Sequence, residues 1–259
     1  DTTICFGDSL SLSISSNFCN KLPINLQNNL VAYYPFCGNS LDESSNANHG
    51  AVINCQFTED RFGNTNSAYS FNGINSTIEI SNTFFDNGWS DYTISLWFLT
   101  NDNGKNSQNL CNTIPHNSMS LGYNQSGAFG TFSHFKSSNP NTVSWDIFLA
   151  DPFNYNTVAN DTWYNITVVK SGNIYKYYID GLLDKSVVSS ISPVSYMTGM
   201  FFGSIGYVGS TFYEVLDGKL DDIGIWKRAL SEHEISELFN LSNDYPNLIW
   251  STSESTSSI

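Results

Sequence analysis

The chain has 259 residues, of which 40% are hydrophobic and 15% aromatic, a composition that supports a packed core and excludes a chain disordered by composition. Its net charge is −14 and it contains only 10 lysines and arginines, so it lacks the basic clusters that nucleic-acid binding requires. No apolar run approaches the roughly 20 residues of a membrane-spanning helix, so we predict no membrane insertion.

Short segments of alternating or β-branched residues predict an all-β fold. In TISLWF (93–98), every second residue is apolar and falls on one face of a strand. The segments WYNITVV (163–169) and IYKYYIDG (174–181) predict a hairpin around the turn SGN. Further strands are predicted at 201–209 and 219–226. Short strands between turn residues are typical of a sandwich or jelly roll.

One helix is predicted near the C-terminus. Ser231 precedes EHEISELFNL, and Glu234 follows it by three residues, which is the spacing of a capping box. We expect a helix over about 232–240 that packs on the sandwich. Its apolar stripe consists of Ile235, Leu238 and Phe239.

The five cysteines allow two disulfides. Cys5 with Cys19, and Cys37 with Cys55, are separated by loops of moderate length, which leaves Cys111 without a partner. No CxxC pair is present, which disfavours zinc and thioredoxin-type sites. These pairings presume an extracellular setting, and the alternative is that several cysteines are free thiols.

The segments LVAYYPFCGNSLDESSNANHG (30–50) and EDRFGNTNSAYSFNG (59–73) resemble the laminin-G-like jelly-roll family of concanavalin-like architecture. The resemblance continues through YTISLWF, WYNITVVKSGNIYKYYIDG and KLDDIGIWKRALSEHEI, and it covers residues 26–243. It implies a concanavalin-like sandwich of two antiparallel sheets with one short C-terminal helix. Because this fold hosts enzymes, lectins and structural modules, function has to be argued from the site.

The flanks carry a second resemblance. TICFGDSLSLSI (3–14) and LIWSTSESTSSI (248–259) resemble strands of an immunoglobulin-like module of secreted bacterial surface proteins. We therefore expect residues 1–25 and 244–259 to be parts of one such module into which the jelly roll is inserted, and the chain to be a piece of a longer protein. Two unrelated linkers are the alternative.

The loop LDESSNANHG (41–50) has oxygen-bearing side chains on alternate residues, as in the first half of an EF-hand loop. The pattern then fails, because Ala47 stands where the loop needs glycine and Ile53 where it needs glutamate. Since calcium takes about six to eight oxygen ligands, further carboxylates would have to come from elsewhere.

KLDDIGIW offers these carboxylates, since adjacent Asp221 and Asp222 in a strand would point to opposite faces and one could lie inward. The family resemblance implies one structural calcium at the following residues: Asp42, Asn46, Asn48, Asp221 and Asp222. Two alternatives remain. Arg61 could neutralise an inward aspartate without a metal, and the loop could be an inert Asx turn.

Catalysis is disfavoured, because the carboxylate patterns E-x-D-x-x-E and E-x-D-x-E of retaining glucanases of this fold are absent. Sugar binding needs exposed aromatic rings together with amide and carboxylate groups, and two long loops, 101–117 and 144–156, contain both. The candidate ligand-binding residues are Trp145, Asp151, Phe153 and Tyr155. These aromatic residues could instead pack in the core or within the loops.

Together these observations predict a non-catalytic, secreted or cell-surface adhesion module that binds a glycan or a glycosylated surface and is stabilised by calcium. One alternative is a structural spacer in a multidomain adhesin or filament. Another is recognition of a second surface protein through the same loops, and a glycoside hydrolase is the least favoured.

Overall fold

A computed structural model describes residues 21–81, 89–101, 108–114, 120–123, 129–132, 159–188 and 199–241. The first strands are β1 (Leu30–Tyr34), β2 (Ala51–Ile53), β3 (Gln56–Thr58), β4 (Ala68–Asn72), β5 (Thr77–Ile80), β6 (Asp91–Thr100), β7 (Gln108–Ile114) and β8 (Ser120–Tyr123). They are followed by β9 (Phe129–Phe132), β10 (Trp163–Ser171), β11 (Ile174–Ile179), β12 (Leu182–Val188), β13 (Gly199–Phe202), β14 (Tyr207–Val208), β15 (Thr211–Phe212) and β16 (Asp217–Trp226). A 3-10 helix (Ile24–Gln27) and one α-helix, α1 (Glu232–Phe239), complete these elements.

The strands form two antiparallel sheets. The larger has eight strands in the order β12-β11-β10-β6-β16-β4-β3, with β1 also paired to β16. The smaller has six strands in the order β2-β5-β13-β7-β8-β9, and β14 with β15 forms a separate hairpin. This architecture confirms the predicted all-β sandwich of two antiparallel sheets with one short C-terminal helix.

Alternation along the central strands divides their side chains between two faces. Ile94 and Leu96 of β6 point into the core between the sheets, as TISLWF predicts. On the opposite face, Ser95 is buried and its Oγ accepts a hydrogen bond of 2.8 Å from Thr167 of β10. Both faces of β6 are therefore covered, one by the second sheet and one by other parts of the chain.

Helix α1 covers part of the outer face of the eight-stranded sheet. The predicted capping box is confirmed, since Ser231 Oγ accepts from Glu234 N at 3.3 Å and Glu234 Oε2 accepts from Ser231 N at 2.9 Å. The helix packs in a second apolar cluster with the following residues: Leu22, Leu26, Tyr33, Val169, Tyr178, Trp226, Leu230, Ile235 and Leu238. Burial of each large apolar side chain stabilises the fold by roughly 1.5–3 kcal/mol.

The packed domain begins before the predicted boundary at residue 26, because Leu22 is buried against the helix cluster. Leu241, where the described part of the chain ends, packs against the same cluster. The flanks 1–20 and 242–259 lie outside the described residues, so the immunoglobulin-like module stays a prediction. Within the described ranges, no helix has the length and apolar character needed to span a membrane.

The predicted disulfide between Cys37 and Cys55 is wrong. Cys55 and Cys111 are free thiols, whereas Cys37 is disulfide-bonded to another residue. The Cys55 Sγ instead donates to the Thr77 carbonyl at 3.3 Å, and burial raises the pKa of Cys55 and of Cys111 to about 12. Both thiols are therefore protonated and unreactive at neutral pH. Cys5, with its predicted partner Cys19, lies outside the described residues.

The Arg228–Glu234 ion pair, with Arg228 Nη2 2.8 Å from Glu234 Oε1, predicts a specific acid dependence of stability. The hydrogen bond from Arg228 lowers the pKa of Glu234 from 4.5 to about 2. A depressed folded-state pKa contributes stability that is present above the unfolded pKa and lost as pH falls through the folded one. We expect the difference in melting temperature between the native chain and Glu234→Gln to shrink from pH 5 to pH 2. A difference that stays constant over this range contradicts the assignment.

Candidate functional site

The acidic pair Asp221 and Asp222 lies where β16 changes neighbours. Residues 217–220 pair with β4 and residues 223–226 pair with β1, and the register with β6 shifts between Asp221 and Gly224. Asp222 has a φ of 44°, in the left-handed region that few non-glycine residues adopt. The prediction that these two side chains point to opposite faces is therefore wrong, because a β-bulge interrupts the alternation.

Arg61 bridges the two carboxylates. Its Nη1 donates to Asp221 Oδ2 at 2.9 Å and to Asp222 Oδ2 at 2.7 Å. The side chains of Arg61, Asp221 and Asp222 are only 6%, 3% and 8% exposed. The guanidinium carbon lies 4.3 Å from the ring centroids of Phe62 and Trp97. These cation–π contacts fix the side chain in place, and the predicted alternative of neutralisation by arginine is confirmed.

The remaining oxygens of the pair also accept hydrogen bonds from the protein. Tyr33 Oη donates to Asp222 Oδ1 at 2.9 Å, and Asp222 N donates to Asp221 Oδ1 at 2.8 Å. Two carboxylates thus share one cation. Burial is the largest cause that raises the pKa of Asp221, and the neighbouring charge of Asp222 raises it further. The positive charge of Arg61 opposes this rise. Burial and Asp222 likewise raise the pKa of Tyr33. A proton on Asp221 would leave the cluster electrically neutral.

Asp42 organises the opening loop as an Asx turn. Its Oδ1 accepts from the backbone N–H of Tyr33 at 2.9 Å and of Ser44 at 2.8 Å. Its Oδ2 accepts from Ser44 Oγ at 2.8 Å and from Asn48 N at 2.9 Å. A carboxylate surrounded by four donors is stabilised in its charged form without a metal.

The side-chain amides of the other two predicted loop ligands, Asn46 and Asn48, are tied to β1. Asn46 Nδ2 donates to the carbonyls of Leu30 and Val31 at 3.0 Å, and Asn48 Nδ2 donates to Val31 O at 2.8 Å. Asp42 accepts a hydrogen bond from the backbone N–H of Tyr33, whereas Asp222 accepts one from the Tyr33 hydroxyl. The two carboxylates therefore lie at opposite ends of the tyrosine, and one ion cannot bridge them.

Within the described ranges, no group of three or more histidine, cysteine, aspartate or glutamate residues could hold a metal ion. The carboxylate oxygens of Asp42, Asp221 and Asp222 all accept hydrogen bonds from the protein, and the calcium site stays a prediction.

The predicted ligand-binding residues Trp145, Asp151, Phe153 and Tyr155 lie outside the described residues, so their role stays a prediction. Of the other predicted loop, 101–117, the structure describes Asn101 and residues 108–114, and the latter form strand β7 rather than a loop. The residue after β6, the start of β7, the segment before β16 and the first residue of β16 meet there, in a feature that we call the Tyr213 rim. It consists of Asn101, Gln108, Asn109, Tyr213, Glu214 and Asp217.

Hydrogen bonds tie Asn101 and Gln108 to Asp217 at the start of β16. Asn101 N donates to Asp217 O at 2.8 Å, and Asn101 Nδ2 donates to Asp217 Oδ1 at 3.1 Å. Gln108 Oε1 accepts from Asp217 N at 2.7 Å. Sequence reasoning identified the loop but missed Asp217, because its pairing joins segments more than 100 residues apart.

Tyr213 and Glu214 complete the rim. The Tyr213 side chain is 46% exposed, and its backbone exchanges hydrogen bonds of 3.2 Å with Ile205 and Gly206. Glu214 has a φ of 47°, and its carbonyl accepts from Asn109 N at 3.0 Å. Burial of the Glu214 carboxylate raises its pKa, and a hydrogen bond from the Asn109 side chain opposes that rise. The rim thus combines an exposed tyrosine with two carboxylates, and the amides of Gln108 and Asn109 are buried behind them.

Replacement of Arg61 should destabilise the fold strongly. Arg61→Met leaves two buried carboxylates without a cation, and we expect a loss of about 3–5 kcal/mol in the free energy of unfolding by urea. Lys176→Met is the matched control, because the Lys176–Glu232 pair is exposed and should contribute about 0–1 kcal/mol. Adding Asp221→Asn to Arg61→Met should recover part of the loss. Equal effects of Arg61→Met and Lys176→Met would contradict a central role for the buried pair.

Several solved structures have a similar fold. The chain is similar to domain 4 of AbnA, an extracellular GH43 arabinanase from Geobacillus stearothermophilus in complex with arabinotriose, with a TM-score of 0.61 and 16% identity over 82% of this chain and 98% of that chain. The binding domain of Paraclostridial Mosquitocidal Protein 1 gives a TM-score of 0.61 and 20% identity over 83% of this chain and 52% of that one.

The binding domain of Botulinum Neurotoxin DC in complex with SialylT gives a TM-score of 0.61 and 16% identity over 86% of this chain and 54% of that one. The same toxin domain is also known in complex with rat synaptotagmin II. The chain spans about half the length of these toxin binding domains. At such identities the likeness establishes the fold alone, and a search of curated proteins finds no match.

The family comparison covers the central part of the sandwich. Residues 71–236 match the laminin-G-like model described as the concanavalin A-like lectin/glucanases superfamily, which is more than half of the chain and confirms the resemblance carried by the strand motifs. The architecture, the order of the motifs and this match agree, and the chain belongs to the concanavalin A-like lectin/glucanase superfamily.

Proposed function

We propose that this domain is a non-catalytic carbohydrate-binding module that acts outside the cell, on a glycan or a glycosylated surface. The observation that carries the proposal is the environment of its adjacent acidic pair. Asp221 and Asp222 are buried beneath Arg61, whereas Tyr213, Glu214 and Asn101 of the Tyr213 rim are exposed. In a family of lectins and glucanases, this arrangement favours binding over hydrolysis.

Retaining glycosidases need two carboxyl groups about 5–5.5 Å apart on either side of the scissile bond. The Asp221 and Asp222 oxygens are bonded to Arg61, Tyr33 and the backbone. A sugar could reach them only by displacing the buried guanidinium. The pair therefore serves the fold rather than a reaction.

The similar structures support a binding role outside the cell. The arabinanase domain belongs to an extracellular enzyme and holds arabinotriose, and the botulinum toxin domain holds SialylT. The same toxin domain in complex with synaptotagmin II supports a second candidate, recognition of another surface protein. Calcium is not part of the proposal, because protein donors fill the predicted ligands.

A glycan array tests the proposal. The fluorescently labelled chain is applied with calcium and again after chelation, and a heat-denatured sample serves as the control. We expect binding to a defined class of sugars, with the same strength under both conditions because Asp42 is held by four protein donors. A silent array with a folded chain contradicts carbohydrate binding and favours a protein partner or a spacer. Binding that disappears on chelation would restore the calcium prediction.

A further inference from the structure

We propose that the Tyr213 rim binds a sugar unit of an uncharged glycan, with the Tyr213 ring against the apolar face of the sugar and the carboxylates of Glu214 and Asp217 accepting its hydroxyls. This inference rests on the carbohydrate-binding function proposed above and names the surface and the ligand class. It excludes sialylated and sulfated glycans as preferred ligands.

The Tyr213 ring is a fixed and accessible platform. Almost half of its side chain is exposed, and its backbone is held by hydrogen bonds to Ile205 and Gly206 beside the β14–β15 hairpin. An aromatic ring that is already positioned loses little conformational entropy when a ligand stacks on it. A half-exposed tyrosine on a tied backbone suits the C–H face of a sugar ring.

Asp217 supplies a positioned hydrogen-bond acceptor. Asn101 and Gln108 form hydrogen bonds with the backbone of Asp217, and the Asn101 side chain also donates to Asp217 Oδ1. The Oδ2 atom of Asp217 accepts no hydrogen bond from the described residues. A hydrogen bond from a sugar hydroxyl to a charged oxygen is stronger than one between neutral groups. The exposed side chain of Asn101 adds amide groups at the same edge.

Glu214 occupies a strained backbone position beside the ring. Its φ of 47° is unfavourable for a residue with a Cβ, and such strain persists only where the surroundings enforce it. The hydrogen bond from Asn109 N to the Glu214 carbonyl and the contact between the two side chains provide that enforcement.

The charge of the rim selects the ligand class. The six described residues that form the rim include two carboxylates and no lysine or arginine, and the whole chain has a net charge of −14. An anionic sugar placed between Glu214 and Asp217 would be repelled and would lose its hydration without a cation to replace it. Uncharged sugars face no such penalty.

The test measures the affinity of the full chain on an array that carries neutral oligosaccharides, arabinotriose among them, and sialylated forms of the same cores. We expect Tyr213→Ala to weaken binding to neutral sugars about tenfold, a loss in the range of aromatic stacking, and Tyr213→Phe to bind within about twofold of the native chain. Phe57→Ala is the matched control, since Phe57 is 40% exposed and lies in β3, outside the rim. Asp217→Asn should reduce the discrimination against sialylated sugars.

Circular dichroism and melting temperatures verify that each variant is folded. Neutral-sugar binding that Tyr213→Ala leaves intact would overturn the rim while the carbohydrate-binding function stands. A native chain that binds only sialylated sugars would also overturn the rim. An array silent for the folded native chain would overturn both proposals. If Tyr213→Ala fails to fold, the single variants Tyr213→Ser and Asp217→Asn replace it. Unchanged affinity for neutral sugars in both folded variants would overturn the rim.

Discussion

The Arg61 guanidinium, held between Asp221 and Asp222, is the interaction on which the outer side of the larger sheet depends. It joins three segments that are distant in sequence, because Arg61 Nη2 also donates to the Leu241 carbonyl at 3.4 Å. Trp97 lies against Arg61 on one side and stacks on Phe239 of α1, with ring centroids 5.5 Å apart. The charged cluster thereby couples the bulge in β16 to the position of the helix.

Tyr33 connects this cluster to the loop that most resembles a metal site. Its backbone N–H bonds to Asp42 and its hydroxyl bonds to Asp222, so one residue contributes to two polar centres. Burying these carboxylates is unfavourable unless every oxygen is paired, and the chain provides donors for each of them. The acidic residues that suggest calcium are thus used to stabilise the fold.

Strand β16 relates this stabilising cluster to the proposed binding surface. It begins at Asp217 in the Tyr213 rim, pairs with β4 over residues 217–220, and then reaches the bulge at Asp221 and Asp222. A strand fixed by β6 on one side and by β4 and β1 on the other gives Asp217 a rigid support. Rigid support matters for a shallow sugar site, since preorganised contacts lose less entropy on binding.

The sequence by itself determined the elements that depend on near neighbours. The capping box needs only Ser231 and Glu234 three residues apart, and the strand at 93–98 needs only its own alternation, so both follow from local patterns. The family resemblance added the sandwich of two antiparallel sheets. The tertiary structure alone decided the φ of Asp222, the free thiol of Cys55 and the meeting of Asn101 with Asp217. Each of these depends on contacts between segments far apart in the chain, whose geometry is fixed only when the two sheets pair and pack.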